Sequence, residues 1–379
     1  MENFSIVREI MTMLIGTDTT NPPGNEITLV YKIVDFLKLN PTEYKIINCG
    51  NNRANLVIDV HGKKSGKCTA FIGHLDTVTV SGSENWKYHP FNAHCDGEYI
   101  YGRGASDMKG GVTAMMLLYK KLKASPPEFP VRFVFTSDEE KDGKGITAAY
   151  KDGVFDDVEQ IIICEPTSLK IGVCEKGAVW LNFKIHGQSC HAAQPGEGVN
   201  AIETAFLLLN GLKYKIENRV QPHYLLGKNS FQITEFNSGV QINIIPDCAC
   251  ALADLRTVPQ QNNSNADILK FIEQYVNDFK KFYSGIEIEY EILSNRNSIS
   301  NDINERNILD IAGVLKNNSI EPEYIGINFF TDGSLFIPQT KLPFVILGPG
   351  KQEECHTVNE KIKLEEIIKA VKIYYDILK

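Results

Sequence analysis

Four clusters of acidic residues or histidine stand directly after short apolar runs. Gly73-His74-Leu75-Asp76 follows TAFI (69–72), and Thr136-Ser137-Asp138-Glu139-Glu140 follows VRFVF (131–135). Glu165-Pro166-Thr167 follows QIIIC (160–164). Cys355-His356 follows PFVIL (343–347) after a Gly-Pro-Gly turn. A fifth acid, Asp107, lies in GRGASD (102–107), just ahead of a helical stretch from Gly110. Imidazole and carboxylate donors, with no cysteine required, suit zinc, cobalt or manganese. Asp76, two residues past His74, is placed to accept the other ring N–H and orient the ring, as carboxylates do behind metal-bound histidines. Paired acids such as Glu139-Glu140 are costly to hold at a strand end without a cation.

Taken singly, each element has an ordinary reading. A lone His74 or His356 is more often a hydrogen-bonded loop residue, Glu139-Glu140 a solvated turn, and Gly102-x-Gly104 a plain loop. Their joint placement carries the weight, because ligands of open α/β sheets bind beyond the carboxyl ends of the strands.

The elements that must position them divide in two. NLVIDV (55–60), TAFI, VRFVF and QIIIC read as strands whose continuous apolar character suits a sheet covered on both faces. Between them, Gly110–Leu122 reads as a helix with Val112, Met115, Met116, Tyr119 and Leu122 on one face. This is the α/β pattern. The middle differs: strand 178–187, helix 200–212, strands 230–237 and 248–255, helix 268–282 and strand 287–293. That order resembles a ferredoxin-like α+β sandwich. A helix at 307–316, the PFVIL strand and a helix at 364–378 then return to the first pattern. The parse is an α/β domain of residues 1–177 and 293–379, interrupted by an inserted α+β domain at 178–292.

The 379 residues carry 39 basic and 47 acidic side chains, a net charge of −8, which argues against a general nucleic-acid binder. Nine cysteines without framework spacing and a start lacking a basic leader point to a reducing, cytoplasmic setting. No apolar run approaches the ~18 residues of a membrane span. Cys248 and Cys250 share one strand face and are expected in the core.

GHLDTV (73–78), YGRGASDMKGG (101–111), SDEEKDGKG (137–145), CEPT (164–167) and HTVNE (356–360) stand in this order. GQSCH (187–191) and GVNAI (198–202) lie between the last two. The set resembles the zinc exopeptidase and deacylase family of acetylornithine deacetylase, succinyl-diaminopimelate desuccinylase, aminoacylase and glutamate carboxypeptidase.

The resemblance implies a mixed-sheet α/β catalytic domain with an inserted ferredoxin-like lid and dimerisation domain. It implies two divalent metal ions, zinc first, with cobalt or manganese as alternatives. His74, Asp107 and Glu165 would hold one; Asp107, Glu140 and His356 would hold the other. Glu139 would be the general acid/base, Asp76 the support of His74, and His191 an oxyanion donor reaching across a homodimer. Arg256, Asn243, Thr331 and Gly333 resemble substrate-contacting positions.

The implied substrate is a small N-acyl amino acid, with a di- or aminopeptidase on the same scaffold as the alternative. Neither a nucleic-acid nor a membrane partner is expected. A nucleotide-dependent oxidoreductase is disfavoured because Asp107 stands where the third glycine of G-x-G-x-x-G belongs. A non-catalytic scaffold is disfavoured because Glu139 and every ligand position are filled. Cys164, Cys190 and Cys355 adjoin site residues, but neighbouring strand residues face opposite ways, which makes Cys164 a poor ligand and a Cys-His nucleophilic pair unfavourable.

Overall fold

The computed structural model describes residues 2–283 and 285–379. The chain forms two compact units: Met1–Val173 with Asn301–Ile325 and Thr331–Lys379, and Cys174–Ser300 with Gly326–Phe330.

The first unit is built on a mixed sheet with strand order Tyr44–Gly50, Arg53–Val60, Val131–Thr136, Cys68–His74, Val158–Ile163, Phe344–Ile346, Ile171–Glu175. Cys68–His74 runs parallel to both neighbours, and Phe344–Ile346 runs parallel to Val158–Ile163. The four parallel strands are almost wholly buried, as their unbroken apolar runs require. Helices Gly110–Ala124 and Leu364–Ile377 pack on this unit. Phe71 lies between Phe133 and Tyr374, with ring centroids 5.6 and 5.1 Å away. Burial of three aromatic side chains is a large apolar contribution. Because these strands are parallel, their carboxyl ends share one edge. The register sets His74 opposite Thr136, and Ile72 opposite Ile163. The acidic clusters after each strand are therefore neighbours.

The second unit is an antiparallel sheet in the order Ser230–Ser238, Cys248–Thr257, Gly177–His186, Glu287–Arg296. Helices Ala201–Glu217 and Asn265–Phe282 share its apolar core, which includes Leu181, Phe183, Leu208, Leu212, Ile272 and Val276. Asn200 caps the first helix through its side-chain oxygen, and Ser264 with Asp267 forms a capping box on the second. Such caps satisfy N–H groups the helix itself leaves unpaired. The strict alternation of burial along Cys248–Thr257 places Ala249, Ala251 and Ala253 in the core. Cys248 and Cys250 share the opposite, half-buried face. The expectation that both lie in the core is thus corrected. Among the described residues no helix is long and apolar enough to cross a membrane.

Candidate metal centre

His74 closes its strand with its ring 1% exposed, Nε2 standing 3.0 Å from Asp107 Oδ1 and 3.7 Å from Glu165 Oε1. Asp107 arrives from a tight loop, Ala105–Lys109, whose backbone departs from helical geometry at Asp107 itself. A buried carboxylate sets that loop's shape. Glu360 accepts the N–H groups of Gly104 at 2.9 Å, Ser106 at 2.8 Å and Asp107 at 3.0 Å. It also pairs with Arg103 at 2.8 Å. Pairing of Lys361–Lys363 with Tyr99–Tyr101 brings Glu360 beside this loop. The second oxygen of Asp107 lies 3.3 Å from His356 Nε2, which stands 3.1 Å from Glu140 Oε2.

Two donor trios result, His74/Asp107/Glu165 and Asp107/Glu140/His356, each with its atoms within 4.8 Å of one another. Asp107 belongs to both, one oxygen to each. Oε2 of Glu165 and Oε1 of Glu140 are buried without a hydrogen-bond partner among the described residues. An orphaned buried carboxylate oxygen is costly unless a cation meets it. The residues present therefore fit two hard or borderline divalent ions, and the nitrogen and oxygen donors suit zinc, cobalt or manganese.

The electrostatics agree. Burial pushes Glu139 and Glu165 well above the usual carboxylate range, aided by Glu140 beside Glu139 and by Asp107 beside Glu165. Hydrogen bonds to Asp107 and Glu140 push His356 up to about 11. Burial opposes a charge on His74, yet Glu165 and Asp107 overcome it and hold its pKa well above the ordinary histidine value. Without cations, then, protons neutralise the cluster, and a bound cation must displace them.

Asp76 departs from expectation. Its carboxylate does not take the His74 N–H: Oδ1 lies 3.8 Å from Nδ1. The main-chain carbonyl of Asp76 accepts that N–H at 2.9 Å, because the chain folds back on the ring within two residues. The carboxylate accepts the N–H groups of Glu139 and Glu140 instead, each at 3.1 Å. Glu139 is 5% exposed and belongs to neither trio.

Thr331 and Gly333 are buried at the start of helix Gly333–Thr340, where Gly333 donates its N–H to Thr331 Oγ1 at 3.1 Å. Between them, Asp332 accepts from Thr136 Oγ1 at 2.6 Å. The other expected residues lie in the second unit. His191 and Asn243 share one exposed ribbon, in which the carbonyl of Asn243 accepts the N–H of Ala192 at 3.0 Å. Arg256 makes a two-pronged ion pair with Asp254 at 2.8 and 2.9 Å. The sequence reading missed Glu360, Asn21 and Arg53. Glu360 ends the HTVNE motif, but nothing local marks it, Asn21 or Arg53 as a buried support.

Residues 70–379 match the model of "Peptidase family M20/M25/M40". The chain belongs to this family. Across nearly its full length it is 27% identical to a probable succinyl-diaminopimelate desuccinylase of Staphylococcus aureus, covering 99% of this chain and 97% of the relative. It is 30% identical to an uncharacterized metallohydrolase of Methanocaldococcus jannaschii, over 89% and 87% of the two chains. Among solved structures, a Staphylococcus aureus tripeptidase superposes with a TM-score of 0.79 at 21% identity, over 99% and 98% of the chains. A dinuclear metal binding M20 peptidase of Bacillus subtilis superposes at 0.74 and 15% identity, over 100% and 98%. M20 membership makes the protein a metallohydrolase that acts on amide bonds.

Proposed function

We propose that this M20 enzyme hydrolyses the amide bond of a small N-acyl amino acid, in the manner of succinyl-diaminopimelate desuccinylase or acetylornithine deacetylase. The observation that carries the hydrolytic reading is Asp107, which offers one oxygen to each of two donor trios beside a buried, non-ligating Glu139. The acyl-amino-acid reading is supported by end-to-end similarity to proteins called desuccinylases. A peptidase reading is favoured by the tripeptidase among the structural neighbours.

His74, Asp107, Glu140, Glu165 and His356 would hold the ions. When bound, two divalent ions supply Lewis-acid polarisation and lower the pKa of water. Glu139 takes the proton of the attacking water on its carboxylate and passes it to the departing amine nitrogen. Water and amide become carboxylate and ammonium, the second water proton also passing to the amine, and Glu139 ends as it began. His191 donates to the oxyanion that forms at the carbonyl, while Arg256 and Asn243, with the Thr331 and Gly333 loop, orient the amino-acid part. Asp254 accepts from Nε and Nη2 of Arg256, which orients the guanidinium so that its Nη1 end meets the substrate carboxylate in this reading.

The second unit serves as lid and homodimer contact in this reading. Helix Ala201–Glu217 exposes Phe206 at 66% and Tyr214 at 71%, beside Ser230–Ser238, the outermost strand of its sheet among the described residues. Exposed apolar side chains and an open sheet edge invite a second copy. All nine cysteines are free thiols, which suits a reducing compartment such as the cytoplasm.

A turnover screen of zinc-loaded protein tests the substrate class. It should include N-succinyl-diaminopimelate, N-acetylornithine, other N-acyl amino acids, and di- and tripeptides. An N-acyl amino acid should exceed the best peptide in kcat/KM by at least ~10-fold, a modest ratio for a site built around specific polar contacts. The reverse order would replace the deacylase reading with the peptidase one.

A further inference from the structure

Asn21 lies far from the metal donors in sequence and is 5% exposed. Its Nδ2 donates to Asp76 Oδ2 at 2.8 Å and to Asp138 Oδ1 at 3.0 Å. Its Oδ1 accepts from Arg53 Nη2 at 2.6 Å. Arg53 is itself buried at 7% exposure, and its other arm pairs with Glu26 at 2.7 Å and Asp138 at 3.0 Å. A guanidinium has no acceptor and an ionised carboxylate has no donor. Arg53 therefore fixes which end of the Asn21 amide is oxygen, and the NH2 end must face the two carboxylates. No other neutral side chain of this size accepts from a guanidinium while donating to two carboxylates.

The consequence falls on the Glu139-Glu140 turn. The Asp76 carboxylate touches three donors: Asn21 Nδ2 and the backbone N–H groups of Glu139 and Glu140. Two of the three belong to the proposed acid/base and to a ligand of the second ion. The carboxylate leaves the His74 ring to its own backbone carbonyl, so its hydrogen-bonding capacity is directed at the turn. Asn21 also donates its backbone N–H to Thr77 O at 2.8 Å, which fixes it next to Asp76 along the chain.

We propose that Asn21, anchored by Arg53, is a positioning residue that holds the Asp76 carboxylate against the Glu139-Glu140 backbone and so fixes where the proton carrier stands. The proposal rests on the acid/base reading of Glu139. A displaced proton carrier lowers turnover, since small misplacements of reacting groups carry large rate costs, whereas Glu140 is one of three donors to the second ion and stays paired with His356 at 3.1 Å.

The test is a double-mutant cycle on the best substrate of the screen. Asn21→Asp keeps an oxygen for Arg53 and loses the donor to Asp76. Alone, it should lower kcat at least ~10-fold, the lower range for lost supporting hydrogen bonds around a metal site, with KM and zinc content nearly unchanged. In a Glu139→Gln background it should add almost nothing, because the group it positions is already gone. Arg53→Lys keeps the charge facing Glu26 and Asp138 but loses the arm on Asn21, and should give the same pattern.

Native kcat in either folded variant, or losses that multiply fully with Glu139→Gln, would overturn the positioning role. Failure of both variants to fold would overturn it too, making Asn21 a stability residue. Near-native turnover of Glu139→Gln itself would instead remove the acid/base reading underneath.

Discussion

A zinc-loaded Glu139→Gln chain should turn over at least ~10²-fold more slowly than the native chain, the lower range for general acid–base catalysis. Its metal content should be unchanged. Glutamine keeps the volume and the backbone N–H that donates to Asp76, but it cannot carry a proton. Glu139 belongs to neither donor trio, so its loss leaves the ligands intact. Its neighbour provides the contrast. Glu140 Oε2 stands 3.1 Å from His356 Nε2, and its Oε1 is an orphaned buried oxygen. Glu140→Gln removes an anionic donor, so it should weaken the second ion and be partly restored by excess zinc, whereas Glu139→Gln should not. Turnover near native in a metal-replete Glu139→Gln enzyme, measured alongside its zinc content, would reject the assignment.

His191→Ala should lower kcat by ~10²-fold or more, as for a lost oxyanion donor, with two zinc ions still bound. The ring's Nδ1 accepts the N–H of Ala193 at 3.0 Å, which leaves Nε2 to carry the proton. His191 is therefore held as an Nε2 donor on an exposed ribbon, the tautomer an oxyanion requires. Mixing separates action across the proposed homodimer from action within one chain. A His191→Ala subunit is combined with a Glu139→Gln subunit under conditions that exchange subunits. If the histidine serves its partner, one site of the heterodimer carries both lesions and the other neither, so activity partly returns. Confirmed exchange without any return of activity would place the role of His191 within its own chain.

The parallel strands and their polar ends were readable because a buried strand announces itself as an unbroken apolar run, and the chain must then turn at its carboxyl end. His74, Glu140 and Glu165 stand out for that reason. Spacing alone misassigned the Asp76 carboxylate, since a two-residue separation permits either its carbonyl or its carboxylate to reach the ring. Glu360 and Asn21 went unread because their partners lie far along the chain: Glu360 to Asp107 spans 253 residues, and Asn21 to Asp138 spans 117. Cys248 and Cys250 show a different limit. Alternation fixes that they share a face, but which face meets the helices depends on neighbouring strands. The edge strand Tyr44–Gly50 was missed because it is only half buried and lacks a clean pattern.

A metal titration of the metal-free chain tests the paired metal centre most directly. Calorimetry, proton release and activity would be followed together across pH. Two zinc ions should bind per chain, and activity should rise with them. The direction with pH follows from the raised pKa values of His74 and His356: both hold protons at neutral pH that zinc must displace, so affinity should fall as pH falls and binding should release protons. Asp107→Ala, which removes a donor from both trios, should impair both ions, while Glu165→Ala should impair one. Saturation at a single ion, or an Asp107→Ala chain that still binds two with native affinity, would contradict a paired metal centre bridged by Asp107.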